Sequence, residues 1–269
     1  MISTPAVDHA HRDDIAHRLR ALEAAEGVRI VLAVESGSRA WGFASPDSDY
    51  DVRFVYVRPT AHYLSIRVED RRDVIEQPIV DEIDLNGWDL RKALRLLART
   101  NPAVIEWLHS PITYVERGRF RARALALPPA LYSSVRGLHH YRHMAAGNYR
   151  AYLRGERVRL KKYLYLLRPL LAARWIEARG TPPPMAFEAL LAATELPHDF
   201  REAVAELLAR KRSASEMADG PPLPPLQRFI EAELARSVVT QPRHEALAAE
   251  AAWEALDRLF LEVLGEATG

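Results

Sequence analysis

Glu35-Ser-Gly-Ser-Arg-Ala-Trp-Gly-Phe-Ala-Ser-Pro-Asp-Ser-Asp-Tyr-Asp-Val-Arg53 decides how this chain is read. An apolar run, Ile30 to Val34, leads into a Gly-Ser turn. A second apolar run, Val52 to Val57, follows a pair of carboxylates, Asp49 and Asp51. Side chains alternate faces along a strand, so these two acids point the same way. Like charges side by side raise each other's pKa, and a divalent cation between them removes the conflict. Mg2+ takes hard oxygen ligands, commonly one or two carboxylates plus substrate phosphates. A turn of small residues beside an arginine supplies a cradle for those phosphates. The stretch therefore predicts a metal-dependent site for a nucleoside triphosphate.

Working outward, Asp8 to Glu26 has the spacing of an amphipathic helix, with Ile15, Leu19 and Leu22 on one face and Gly27 as a stop. Arg29 to Glu35 is a buried strand and Tyr50 to Arg58 a second one, ended by Pro59. The short connection makes the two strands neighbours in one sheet. Gly37-Ser38 turns the chain, Arg39 to Gly42 has room for one helical turn, and Ser45 to Ser48 has the chemistry of a tight connection. His62 to Val68 is compatible with a short helix. Arg72 to Gln77 and Ile79 to Leu85 read as paired short strands around Pro78, and Gly87 as a break. Trp88 to Arg99 is a helix with Leu90, Leu94 and Leu97 on one face. Asn101-Pro102 caps and starts another helix through His109, and Pro111 to Val115 reads as a further strand.

From about Arg119 the periodicity is helical throughout, with helices expected near 130–153, 157–178, 185–194, 198–212, 222–238 and 242–264. The fold class is thus α+β: a mixed sheet with flanking helices in residues 1–117, then an all-helical domain in 118–269.

Composition limits the alternatives. The formal net charge of +1 gives no bulk electrostatic signature of a nucleic-acid binder, and the absence of cysteine removes disulfides and thiolate zinc sites. The polar, His-rich start has no signal-peptide core, and no apolar run approaches the roughly 20 residues that span a bilayer. A soluble, cytoplasmic protein without a membrane partner is the expectation; oligomeric state is not legible.

A two-metal site needs a further carboxylate from a neighbouring strand. Val80-Asp-Glu-Ile-Asp-Leu-Asn86 offers three. Ile83 and Leu85 share parity with Asp81 and face the core, which leaves Glu82 and Asp84 on the other face. Asp84 is the chosen third acid and Glu82 the reserve, either to bind metal or to take a proton from an attacking hydroxyl.

Gly37-Ser38, Gly42 and Ser48-Asp49-x-Asp51 resemble the Gly-Ser…Ser-Asp-x-Asp signature of the DNA polymerase β-like nucleotidyltransferase superfamily. Within it the chain is similar to the RNA-repair-pathway polymerase β family. Supporting stretches are Asp84-Leu-Asn-Gly-Trp-Asp-Leu-Arg-Lys92, Asn101-Pro through Glu106-Trp-Leu108, and Lys161-Lys-Tyr-Leu-Tyr-Leu-Leu-Arg-Pro169, so the resemblance covers roughly residues 30–178.

The resemblance implies that Asp49 and Asp51 ligate both catalytic Mg2+ or Mn2+ ions and Asp84 the ion at the attacking hydroxyl. Gly37 and Ser38 would hold the β- and γ-phosphates, with Ser48 part of the same signature. A nucleoside monophosphate would pass from an NTP to an acceptor hydroxyl with loss of pyrophosphate. Asp47 has the parity of the two ligands and stands as a spare acid in the turn. Arg39 is placed to clamp the terminal phosphate with its fork of donors. Arg53 is placed to pair with Asp84 or to hold a carboxylate in position.

In similar enzymes a helical domain closes over the nucleotide and a helix lysine reaches the phosphates, which points to Lys161 or Lys162. Tyr141, Arg142, His143, Asn148, Tyr149 and Arg150 mix aromatics with cations in a way that suits base stacking and phosphate contact. His139, His140 and His143 lack a partner acid at metal-binding spacing. The acceptor is open between an RNA 3′ end, a protein side chain and a small molecule. A non-catalytic NTP sensor is the alternative of a different class.

Overall fold

The computed structural model describes residues 7–127, 131–213, 219–237 and 249–268. Residues 130, 238 and 242–248 of the expected helices lie outside them. Contacts divide the chain into two compact units: Met1–Ala40, Asp49–Leu131 and Ala246–Gly269 in one, Trp41–Ser48 and Tyr132–Glu245 in the other.

The first unit starts with α1 (His9–Glu26), whose N-cap Asp8 accepts from the His11 amide. Then come β1 (Arg29–Glu35), α2 (Gly37–Trp41), β2 (Tyr50–Val57), α3 (Thr60–Tyr63), a 3-10 turn (Val68–Asp70), β3 (Val74–Glu76), β4 (Ile83–Asp89), α4 (Leu90–Ala98), α5 (Pro102–Leu108), β5 (Thr113–Glu116) and α6 (Phe120–Leu125). Among the described residues the strands form one mixed sheet in the order β3-β4-β2-β1-β5. β2 and β4 run parallel, with Asp51 opposite Asp84; the other pairs are antiparallel.

Alternation along β2 and β4 builds two cores. Ile15, Leu19 and Leu22 of α1 pack with Val52, Phe54, Tyr56, Ile83 and Leu85 on one sheet face. On the other face Val55 and Val57 pack with Leu90, Leu94, Trp107 and Phe120. That second core also takes in Leu256, Leu259 and Val263 of α12 (Ala249–Thr268), so the last described helix belongs to the sheet unit.

Several boundaries differ from expectation for local reasons. Gly37 and Ser38 open a helical turn instead of a bare bend. Gly87 lies inside β4, not at a break: a Cβ there would sit 2.0 Å from the Phe54 ring, so the strand keeps its pairing only with glycine. Trp88 and Asp89 therefore stay in the sheet, and α4 starts at Leu90 with Asp89 as its cap. The turn expected over 62–68 forms earlier, directly after Pro59.

The helical unit pairs α7 (Ser134–Tyr152) with α8 (Lys161–Arg179) and adds α9 (Phe187–Ala192), α10 (His198–Ser213) and α11 (Pro224–Ala235). The expected apolar stripe Leu160, Leu164, Leu167 and Leu171 is buried in its core with Phe43, Phe187, Phe200 and Ile230. No helix among the described residues is long and apolar enough to cross a membrane.

Candidate active site

β2 and β4 begin at the same end of the sheet, where β1 ends. Asp51 is thereby set beside Asp84, and the parity of both is that of the acids' expected face. Arg53, two residues along β2, reaches back between them. Its Nη2 donates to Asp51 Oδ1 at 2.9 Å and to Asp84 Oδ2 at 2.7 Å. The three side chains are 19–29% exposed, enough shelter to make the pairing strong and enough opening to admit solvent. Burial pushes the Asp51 carboxyl up; Arg53 pulls it down, while Asp84 and Asp49 push it up further.

Gly37 explains how close the turn comes. Its φ is +57°, and a Cβ there would stand 1.9 Å from Asp51 Oδ2. The carboxylate is seated against bare backbone that any side chain would displace. Ser38 follows, buried at 2% exposure. Arg39 is buried too. Its guanidinium lies 3.8 Å from the centre of the Tyr50 ring, and its Nε donates to the Asp49 carbonyl at 3.3 Å. It thus braces the segment entering β2. Asp49 itself is exposed, one residue ahead of the strand.

The reserve acid Glu82 is not on the β4 face. Asp81 and Glu82 both have positive φ, in a tight turn closed by bonds between Val80 and Ile83. Arg18 of α1 binds Asp81 there.

The remaining candidates lie in the helical unit. Ser48 Oγ accepts from the Ser45 amide at 2.9 Å and closes a small turn. Lys161 is exposed at the start of α8. Lys162 Nζ lies 4.7 Å from the Tyr152 ring centre and 5.0 Å from that of Tyr165. Of the mixed cluster on α7, Tyr141 is buried, Tyr149 hydrogen-bonds Glu231 and Gln227, and Asn148 donates to the Tyr165 carbonyl. His139, His143 and Arg150 are on the exposed side.

Reading the sequence missed Glu35. It is fully buried (0% exposed), Oε1 accepts the Asp51 amide at 2.8 Å, and Oε2 accepts from the Tyr114 hydroxyl. Burial pushes its carboxyl up to about 7, with the Tyr114 and Asp51 hydrogen bonds pulling the other way. The available signal was an acid closing an otherwise apolar strand.

Does this donor set suit a divalent ion? Two carboxylate oxygens from different strands converge on one cationic nitrogen, so two hard oxygen donors already share one positively charged point. Among the described residues no three His, Asp or Glu side chains form a cage by themselves. The set fits an ion whose remaining ligands come from substrate phosphates and water.

The family model described as the RNA repair pathway DNA polymerase beta family matches residues 11–262. An uncharacterized protein of Bacillus subtilis (strain 168), YcgL, is 42% identical over 252 residues, covering 94% of this chain and 96% of that protein. A solved nucleotidyltransferase-like protein from Exiguobacterium sibiricum 255-15 aligns over 94% of this chain and 78% of its own, at 11% identity and a TM-score of 0.28.

Proposed function

We propose, for a chain that belongs to the RNA repair pathway DNA polymerase beta family, that it transfers a nucleoside monophosphate from an NTP to an acceptor hydroxyl. The observation that carries this reading is the convergence of Asp51 and Asp84 on one cationic nitrogen beside the Gly37 turn. The acceptor oxygen bonds to the α-phosphorus as the bond to the bridging oxygen breaks, and pyrophosphate leaves with that electron pair. Asp49, Asp51 and Asp84 would hold Mg2+ or Mn2+, and Asp84 is the carboxylate placed to take the proton of the acceptor hydroxyl where it is not itself a ligand. Such an ion would supply charge stabilisation at the phosphate oxygens. The Gly37-Ser38 turn binds the β- and γ-phosphates, Arg39 fixes the Asp49 backbone behind it, and Lys161 and Lys162 are the proposed helix contacts to the triphosphate.

The proposed acceptor is an RNA 3′ end, in keeping with the family's description. The near-neutral net charge favours a smaller footprint, and so keeps a protein or small-molecule hydroxyl as the second reading. A non-catalytic NTP sensor is the reading of a different class, and the third acid Asp84, opposite Asp51, counts against it. Transfer of label from α-labelled NTP with Mg2+ or Mn2+, over RNA, protein and small-molecule acceptors, decides among them. Asp49→Ala with Asp51→Ala is expected to abolish transfer. Unchanged transfer overturns the assignment, and tight NTP binding without pyrophosphate release on any acceptor turns it to the sensor.

A further inference from the structure

We propose that Glu35, held by Tyr114, is the positioning residue that sets Asp51 for metal binding; this rests on the nucleotidyl-transfer reading above.

The β1–β2 ladder ends with Glu35 opposite Val52, so its next rung would set residue 36 opposite residue 51. An antiparallel pair of that kind exchanges two hydrogen bonds. One is present: the Ser36 amide donates to the Asp51 carbonyl at 2.8 Å. The other is not made: the Ser36 carbonyl accepts from the Ala40 amide at 3.4 Å, closing the first turn of α2. The turn that brings Gly37 under the Asp51 carboxylate thus takes away the ladder's acceptor for the Asp51 amide. Glu35 Oε1 replaces it.

Glu35 is itself pinned on every polar atom. Its amide donates to the Ile112 carbonyl at 2.9 Å, and its carbonyl accepts from Ser110 Oγ at 2.6 Å. Oε2 takes the Tyr114 hydroxyl. The 110–114 segment therefore fixes Glu35, Glu35 fixes both sides of the peptide at Asp51 together with Ser36, and Asp51 is held at the point where its carboxylate meets Gly37 and Arg53.

A similar pair elsewhere in the same unit serves as a control. Asp89, 4% exposed, accepts the Arg91 amide at 2.8 Å and the Tyr63 hydroxyl at 2.9 Å, but it caps α4 and has no part in the site. A buried carboxyl bound by an amide and a tyrosine is therefore not in itself a metal-positioning device. What distinguishes Glu35 is whose amide it holds.

The experiment measures Mn2+ affinity of the full chain by electron paramagnetic resonance, with a thermal melt of each variant. Glu35→Ala is expected to weaken Mn2+ by about tenfold or more, as loss of a ligand's supporting partner does. Glu35→Gln retains an acceptor for the Asp51 amide and is expected to restore wild-type affinity. Tyr114→Phe should weaken binding less than Glu35→Ala, and Asp89→Asn should leave it unchanged. A merely structural Glu35 lowers the melting temperature and leaves Mn2+ affinity alone, which overturns the proposal. So does an equal loss in Asp89→Asn. If Glu35→Ala does not fold, Tyr114→Phe decides: wild-type affinity overturns the proposal, weakened affinity supports it. A wild-type chain that binds no Mn2+, with or without a non-hydrolysable NTP, overturns the transfer reading and this inference with it.

Discussion

The acids of the candidate site and three cations of the helical unit are sheltered by different kinds of contact. In the sheet unit Arg53, Asp51, Asp84 and Glu35 meet atom to atom, through hydrogen bonds that weaken steeply when bent. In the helical unit three cations lie near ring faces: Lys162 over Tyr152 and Tyr165, Arg168 over Trp41 at 4.5 Å, Lys211 over Phe43 at 5.6 Å, while Arg174 pairs directly with Glu233. A ring face attracts a cation broadly and demands little alignment. The first kind of contact fixes where oxygen atoms stand; a ring face alone shelters a positive charge with less demand on direction, and Arg168 adds hydrogen bonds to the Met185 carbonyl. Chemistry at a phosphorus atom needs the first kind.

That contrast is open to attack, most forcefully at Gly37. Gly37→Ala forces an L-residue to φ +57° and a methyl onto Asp51 Oδ2. It is expected to cost at least about 2 kcal/mol in denaturant unfolding and to abolish label transfer. Wild-type stability in this variant would break the claim that the carboxylate sits on bare backbone.

Arg53→Met leaves Asp51 and Asp84 facing each other without a cation. Because all three groups are partly exposed, the expected loss is about 1–2 kcal/mol in metal-free buffer, recovered as Mg2+ is added. A loss that Mg2+ does not reverse would show that the two acids do not share a cation site.

Lys162→Met removes a cation from two rings and is expected to cost about 0.5–1 kcal/mol, with no dependence on Mg2+. Unfolding in parallel with the Arg53 variant tests whether the two kinds of contact differ as described.

The smallest effect is a pH slope at Asp89. Burial, the largest influence, raises its carboxyl above the usual 3.8, against the Arg91 amide and Tyr63 hydroxyl. A raised pKa in the fold means the neutral form is favoured there. Its contribution is complete below about pH 3.8 and lost as pH rises through the folded value. Asp89→Asn does not titrate, so its melting temperature should gain on the wild type as pH rises from 3.5. A constant difference would remove Asp89 from the pH response.

Much of this was legible from spacing. The cap Asn101, the strand bounds around residues 29–35 and 50–57, and the shared face of Asp51 and Asp84 follow from local chemistry and parity, whereas Asp8, read as the first helical residue, is the cap of α1. Other features depend on partners distant in the chain. Gly87 looks like a break until Phe54 is placed over it. Glu35 looks like the end of a strand until Ser36 gives its carbonyl to α2. The tail near Trp253 to Leu264 is amphipathic in the sequence, and periodicity cannot name the surface it covers; α4 and the sheet do so. For Lys161, the sequence stripe identifies a helix face and nothing about a phosphate.

α12 has a consequence for biosynthesis. A ribosome releases the strands and the α4 face first, and then about 117 further residues of chain before α12 emerges, a delay on the order of ten seconds. Through that interval Leu94 and the rest of the α12 docking surface lack their cover. The nascent sheet unit is thus incomplete while the helical unit is being made, and its core closes only once the last helix has been synthesised.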